Sequence, residues 1–279
     1  MKKLLSIIFI ITLLSCNNNE KKNSTVDDKI KADNIDANDK KLNEIFDVDP
    51  KALTKDYMTW YTYTYNTIHL SQDFIGLDID SIPIDKLTFL KKFQSGTQIP
   101  IKVRMLEGQP VYKLYDLGLS DQSIRSTIEG MAATEIAHLK MEGTAQPDFN
   151  FTDMNGNRYG KASTKGKLMV VKCWFIHCVA CVKEFPELNK LVDDNKDNTN
   201  LFFLSLAIDS KEELQKFLKT KEFKYAVVPD AKSYMADELG ILAFPTHLLI
   251  NGEGKIIKVV NKIDDLIPFL NKEQTKIGS

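Results

Sequence analysis

The stretch WFIHCVACVKEFPEL, residues 174–188, sets two cysteines, Cys178 and Cys181, three positions apart. Thiols at that spacing can clasp a metal, close a structural disulfide or work as a redox couple. The flanking sequence narrows what the pair can do. An unbroken apolar run, KLMVVKCWF, comes just before it, and behind Cys178 the residues Cys181, Phe185, Leu188 and Val192 fall on one helical face. The expected arrangement is a buried strand running into a helix, with Cys178 at the open tip and Cys181 on the covered side. Unpaired backbone N–H groups and the positive end of the helix dipole favour a thiolate at such a tip. A second sulfur one turn further on can reach back and displace the first from a mixed disulfide.

The elements that must hold this pair follow a regular order. FNFTDMNGNRY predicts a hairpin with an Asn-Gly turn, and LFFLSLAI and YAVV predict further buried strands. Helices are expected over 211–223 and 234–239, the second stopped by Gly240. THLLINGEGKIIKVV predicts a closing hairpin that turns at 251–254, and a last helix starts at Ile263. Continuous apolar strands alternating with helices indicate an α/β sheet covered on both faces.

Residues 46–143 read differently, as a small α+β domain. The alternation in WYTYTYNTIHL (60–70) predicts a strand, with Tyr61, Tyr63 and Tyr65 on a half-buried sheet face. DFIGLD predicts a short strand and IDKLTFLKKF a helix that ends before Gly96. IPIKVRML and PVYKLYDL form a hairpin, and a helix over 123–141 carries Ile124, Ile128, Ala132, Ile136 and Leu139 on one face. His69 and His138 are isolated and read as structural, and nothing in this region has catalytic spacing.

The N-terminus bears on the redox compartment. Lys2 and Lys3 precede an apolar run of 4–14, too short to span a bilayer, and the layout is that of an export signal. The following Leu-Leu-Ser-Cys resembles a bacterial lipobox. That resemblance implies a leader over 1–15 and a lipid on Cys16, which anchors the mature chain to a membrane. Residues 16–45 would then be anchor and tether, since 17–41 is rich in Asn, Asp and Lys and poor in large apolar side chains. With 37 basic and 38 acidic side chains, the charge balance does not point to nucleic acid. Three cysteines remain beyond the anchor, too few for a disulfide framework, and Cys173 on its apolar strand reads as a small core residue.

Taken together, Trp174 four residues before Cys178, the pair itself, Glu184-Phe185-Pro186, the proline of AFPTHLLI and the 251–254 turn resemble the TlpA/ResA-like branch of thioredoxin-fold disulfide oxidoreductases. The likeness covers about 144–270. It implies a thioredoxin-like domain over 144–279, a central mixed sheet flanked by helices. It also implies a redox-active Cys178–Cys181 disulfide, with no other cofactor and no metal, and a cis Pro245 that, with Phe244 beside it, pairs with an incoming polypeptide. Glu184 would tune thiol acidity. The clients would be disulfides of cell-envelope proteins. A membrane electron conduit of the CcdA/DsbD type would re-reduce the pair on the periplasmic side, with inner or outer membrane left open.

Three positions depart from that pattern. His177 stands where relatives commonly carry tryptophan, Lys172 where thioredoxins often carry a polar or acidic residue, and Cys173 is extra. Lys172 lies in an otherwise apolar strand and needs a counter-charge, for which Glu184 is the expected partner. Two other functions fit parts of the pattern. A peroxiredoxin-like peroxidase shares the fold, but such proteins resemble one another in carrying Thr or Ser three residues before the reactive cysteine, where this chain has Phe175 or Val170. A copper-binding module could use Cys178 and Cys181 with His177 or His247.

Overall fold

The computed structural model describes residues 48–118 and 121–278; Cys16, the leader and the whole tether lie outside the described residues. The N-terminal helices begin at aspartates. Asp49 caps α1 (Pro50–Leu53), Asp56 caps α2 (Tyr57–Thr67), Asp85 caps α3 (Lys86–Gln94) and Asp121 caps α4 (Gln122–Met141). In each case the carboxylate accepts a first-turn N–H that the helix cannot satisfy itself. Between them lie β1 (Ile75–Leu77), β2 (Pro83–Ile84), β3 (Gln98–Leu106) and β4 (Gln109–Asp116), paired in the order β2-β1-β4-β3. Trp60, Phe89, Phe93, Ile99, Tyr112, Leu114, Ile124 and Ile128 fill the space between sheet and helices.

The strand expected over 60–70 is a helix instead. Asp56 accepts the Thr59 N–H at 2.9 Å, which starts a helix at Tyr57. The tyrosines that alternate along the sequence also recur every fourth residue. Tyr57 stacks on Tyr61 at 5.7 Å between ring centres, and Tyr61 on Tyr65 at 6.1 Å. One turn apart on another face, Trp60 and Thr64 are buried. The cap and the burial of Trp60 outweigh the strand preference of Tyr and Thr, so Tyr61 and Tyr65 lie on an exposed helix stripe, while Tyr63 packs against the core and accepts the Lys102 N–H at 3.0 Å.

The C-terminal half opens with the hairpin β5 (Asn150–Thr152) and β6 (Arg158–Gly160), whose turn is tied by Asp153, and continues through α5 (Lys161–Thr164). The central strand β7 (Leu168–Trp174) is buried along its whole length. It leads to α6 (Val179–Lys183) and α7 (Phe185–Asp194), followed by β8 (Leu201–Ala207), α8 (Lys211–Phe217), β9 (Ala226–Val228), a π-helical turn at Tyr234–Glu238, β10 (Thr246–Ile250), β11 (Ile256–Val260) and α9 (Ile263–Gly278). Strands β7 to β11 form one mixed sheet in the order β11-β10-β7-β8-β9. On one face Leu168, Val170 and Leu249 pack against Cys181, Phe185, Leu188 and Leu266. On the other, Met169, Val171, Cys173 and Leu248 meet Phe151, Met235 and Ile241.

Two helices differ from expectation. The helix after Cys178 is interrupted at Glu184, because Pro186 cannot donate into a continuing ladder and instead starts a new helix. The helix from Lys211 stops at Phe217 and does not run to Phe223, whose ring leaves the helical path to stack on Phe185 at 4.0 Å.

Both edges of the five-stranded sheet meet backbone from the stretch that follows α4. Gly143 N–H donates to Ile256 O and Ile256 N–H to Thr144 O, while Met154 N–H donates to Val227 O on the far edge. Glu142, which follows α4, accepts from the Lys258 ammonium at 2.9 Å and from Val259 N–H at 3.2 Å. From α1 to α9 the described residues pack as one unit.

Phe89 has no exposed surface and meets Phe74 edge to face at 5.0 Å. Phe89→Ala should therefore destabilise the protein by about 3–5 kcal/mol, read as a lower midpoint in urea unfolding.

Candidate redox site

The sequence brings β7 out of the sheet directly beneath the thiols. After Trp174 the chain turns: Ile176 N–H donates to Asp209 at 2.8 Å and Cys178 N–H to Phe175 O at 3.1 Å. Cys178 then sits at the N-cap of α6, and the Cys181 N–H points at its sulfur, 3.2 Å away. The two cysteines are joined as a disulfide. Cys181 is fully enclosed. Cys178 is 7% exposed, more covered than an open helix tip predicts. The physical reason is the wall around it, where Phe175 and Phe244 pack beside the pair and meet edge to face at 5.5 Å.

The Phe244–Pro245 peptide bond is cis, and Asn261 fixes this loop by donating from Nδ2 to Pro245 O at 2.8 Å. Trp174 lies under the pair with no exposed surface, edge to face with Phe185 at 5.0 Å. His177 points to solvent. Two large apolar side chains remain open near the site: Val179, 68% exposed, between the cysteines, and Leu242, 80% exposed, just before the cis bond.

Where the cysteine helix meets the sheet lies a group of charged and polar side chains, with Lys172 and His247 fully buried and Glu184 partly so. Lys172 has no exposed surface, and its Nζ is 2.5 Å from Glu184 Oε2. The same carboxylate oxygen lies 3.0 Å from Nε2 of His247, and Oε1 accepts the Ile263 N–H at 3.3 Å. His247 stands directly opposite Lys172 in the antiparallel β10–β7 pair. His247 Nδ1 is buried and has no partner among the described residues, so the network assigns the proton to Nε2, which donates to Glu184. Burial, and then the nearby Lys172 charge, push the imidazole below its ordinary pKa, with Glu184 opposing, so His247 is neutral at pH 7.

Burial alone would raise the Glu184 carboxyl, but the hydrogen bond from His247, the positive charge that imidazole takes up in acid, and the charge and hydrogen bond of Lys172 prevail and bring it down to about 2. At Lys172 the balance tips the other way: burial pulls the ammonium below the usual lysine value, although Glu184 resists. Glu184, with donors on both oxygens, is the more firmly ionised partner, and its carboxylate is what allows a lysine here.

The Lys172–Glu184 contact is the one an isolated lysine in an apolar strand predicts; His247 joins it without a signal in the sequence. The structure brings His247 to Glu184, with Nε2 committed there. No cluster of three or more His, Cys, Asp or Glu able to hold a metal occurs among the described residues. Cys173, on the opposite sheet face, is buried, and burial pushes its thiol up to about 12, with Lys172 opposing. It stays protonated and unreactive at neutral pH.

Comparison with known proteins places this arrangement in context. Residues 143–259 match the AhpC/TSA family. The thiol-disulfide oxidoreductase ResA of Bacillus subtilis (strain 168) is 32% identical over 120 residues, covering 43% of this chain and 66% of that protein. ResA of Bacillus thuringiensis subsp. konkukian is 29% identical over 123 residues, covering 43% and 70%. Thus the chain spans about two thirds of the length of the curated relatives it matches. Among solved structures, the thioredoxin domain of a thiol-disulfide oxidoreductase from Bacteroides vulgatus aligns with 27% identity and a TM-score of 0.43, over 47% of this chain and 96% of that one.

The depressed Glu184 value carries a stability consequence. A carboxyl that titrates near 2 when folded, against an ordinary 4.5, adds stability that is fully present above 4.5 and is lost as pH falls toward 2. Glu184→Gln should flatten that acid limb in urea unfolding measured at a series of pH values. It should also cost about 3 kcal/mol at pH 7, because Lys172 is left buried without its counter-charge.

Proposed function

The C-terminal half of the chain is a TlpA/ResA-like thioredoxin-fold domain, and on that premise we propose that the protein is a thiol-disulfide oxidoreductase that reduces disulfides of cell-envelope proteins through Cys178 and Cys181. The observation that carries this reading is the disulfide at a helix N-cap, with the Cys181 N–H aimed at the Cys178 sulfur, beside a cis X-Pro bond.

In the reduced protein, the thiolate of Cys178 attacks one sulfur of a client disulfide. The client S–S bond breaks, a mixed disulfide forms and the released client thiolate takes up a proton. Cys181 then gives up its proton and attacks the Cys178 sulfur. This closes the internal disulfide and expels the second client thiolate, which is protonated in turn. The client gains two electrons and two protons, and the protein ends oxidised. A dithiol donor must restore it, and a membrane electron conduit of the CcdA/DsbD type meets that need.

The surroundings support each role. The helix N-terminus and the enclosed Lys172 charge favour a thiolate, while Glu184 limits how far that goes. Val179, Leu242 and Phe244 offer apolar contact to a polypeptide held at Pro245. Lipid on Cys16 would hold the protein at the envelope membrane; no helix among the described residues is long and apolar enough to cross one.

Cys181→Ala should accumulate mixed disulfides with envelope proteins, separable on non-reducing gels, and Cys178→Ala should not. First labelling of Cys181 when the reduced protein is alkylated would reverse the two roles. Lys172→Met should raise the pKa of Cys178 by about one unit, roughly 1.4 kcal/mol, in the thiolate absorbance of the reduced protein. An unmoved titration curve would remove Lys172 from the chemistry.

A further inference from the structure

Five consecutive residues, 261–265, run from the end of the last strand through the first turn of α9, and four of them grip different parts of the molecule. Asn261 holds the carbonyl of Pro245. The Lys262 ammonium donates to Tyr65 O at 2.6 Å and sits 3.4 Å above the Tyr65 ring, at the end of α2. Ile263 offers its N–H to Glu184. The carboxylate of Asp265, nearly buried, accepts from three side chains of the loop after α2: His69 Nδ1 at 2.9 Å and Gln72 Nε2 at 3.0 Å on Oδ1, and Ser71 Oγ at 2.9 Å on Oδ2. Lys86 fixes that loop from behind through the carbonyls of Ser71 and Gln72, at 3.1 and 3.0 Å.

We propose that Asp265 is a positioning residue for the redox centre, coupling the N-terminal α+β region to the carboxylate beneath the thiols through the first turn of α9. This rests on the redox role of Cys178 and Cys181 given above. Asp265 and the Ile263 N–H belong to one helical turn, so they move together. Where the 69–72 loop holds Asp265, it also sets how closely the Ile263 N–H approaches Glu184 Oε1. Glu184 in turn divides its charge between that N–H, Lys172 and His247. Loosening the loop therefore weakens one of the contacts that hold Glu184, and changes the field at Cys178 without altering any residue of the C-terminal half. Residues 48–142, which lie outside the family match, thereby become part of the redox site and not a separate attachment.

The test uses the full chain with Ser71→Ala and with Ser71→Ala/Gln72→Leu, changes confined to the N-terminal side, and compares Asp265→Ala with Asp265→Asn. The readout is the thiolate absorbance of reduced Cys178 against pH, with hydrogen exchange at 68–73 reporting release of the loop. The expected result is a graded displacement of the titration, reaching about half to one pKa unit in the double variant, a roughly three- to tenfold change in thiolate fraction on the rising limb. Asp265→Asn, which keeps an acceptor oxygen and the side-chain shape, should recover much of the curve lost in Asp265→Ala. Titrations that superimpose on that of the unaltered protein while 68–73 exchange freely would overturn the coupling. Ser71→Ala removes one hydroxyl and keeps the fold, so this comparison survives even if the Asp265 variants unfold. A shifted titration in a protein that reduces no client disulfide would uphold the coupling and sink the oxidoreductase reading instead.

Discussion

An ammonium ion sealed inside a sheet is the constraint from which the rest of the site follows. Lys172 has no exposed surface in a strand buried along its full length, and a charge so placed is tolerated only with a close, oriented counter-charge. The neighbouring side chains of β7 are apolar, so the carboxylate has to come from above. That position falls in the helix carrying the cysteines, and Glu184 occupies the joint where the helix breaks before Pro186. A straight, uninterrupted helix would have no such joint. His247, set opposite Lys172 by strand register, completes the cage with a neutral donor and adds no second positive charge.

Some of this was legible in the sequence, for identifiable reasons. Continuous apolar strands separated by helical patterns fix an α/β sheet, and a lysine among Leu168, Met169, Val170 and Val171 announces that it needs a partner. His247 was not legible as that partner. Its only signal is that it faces Lys172 across β10 and β7, and register depends on pairing, which one strand's sequence does not state. The helix at Tyr57–Thr67 hides behind its own sequence, because Tyr61, Tyr63 and Tyr65 alternate as in a strand while Tyr57, Tyr61 and Tyr65 recur as on a helix. What decides between them is Asp56 just before the stretch, together with the burial of Trp60 and Thr64 one turn apart. The 261–265 segment carries no motif. Its importance comes from what long-range packing brings to it.

Cys173 shows how narrowly the redox chemistry is confined. It adjoins Lys172 in sequence, yet strand alternation turns its side chain to the other sheet face, among Val171, Leu206 and Leu248. There burial keeps the thiol protonated. The sheet itself separates this sulfur from the Cys178–Cys181 couple, so a third cysteine nearby does not open a route to disulfide exchange.

The covered edges of the five-stranded sheet bear on how encounters end. Under the function proposed above, the protein would meet extended stretches of client chain, and such stretches add readily to any bare strand. Here backbone from 143–154 already bonds to β11 on one side and β9 on the other. An extended chain would therefore find those backbone groups already taken, and its contact with the protein would rest on side chains near the cis-proline loop and not on a continued sheet.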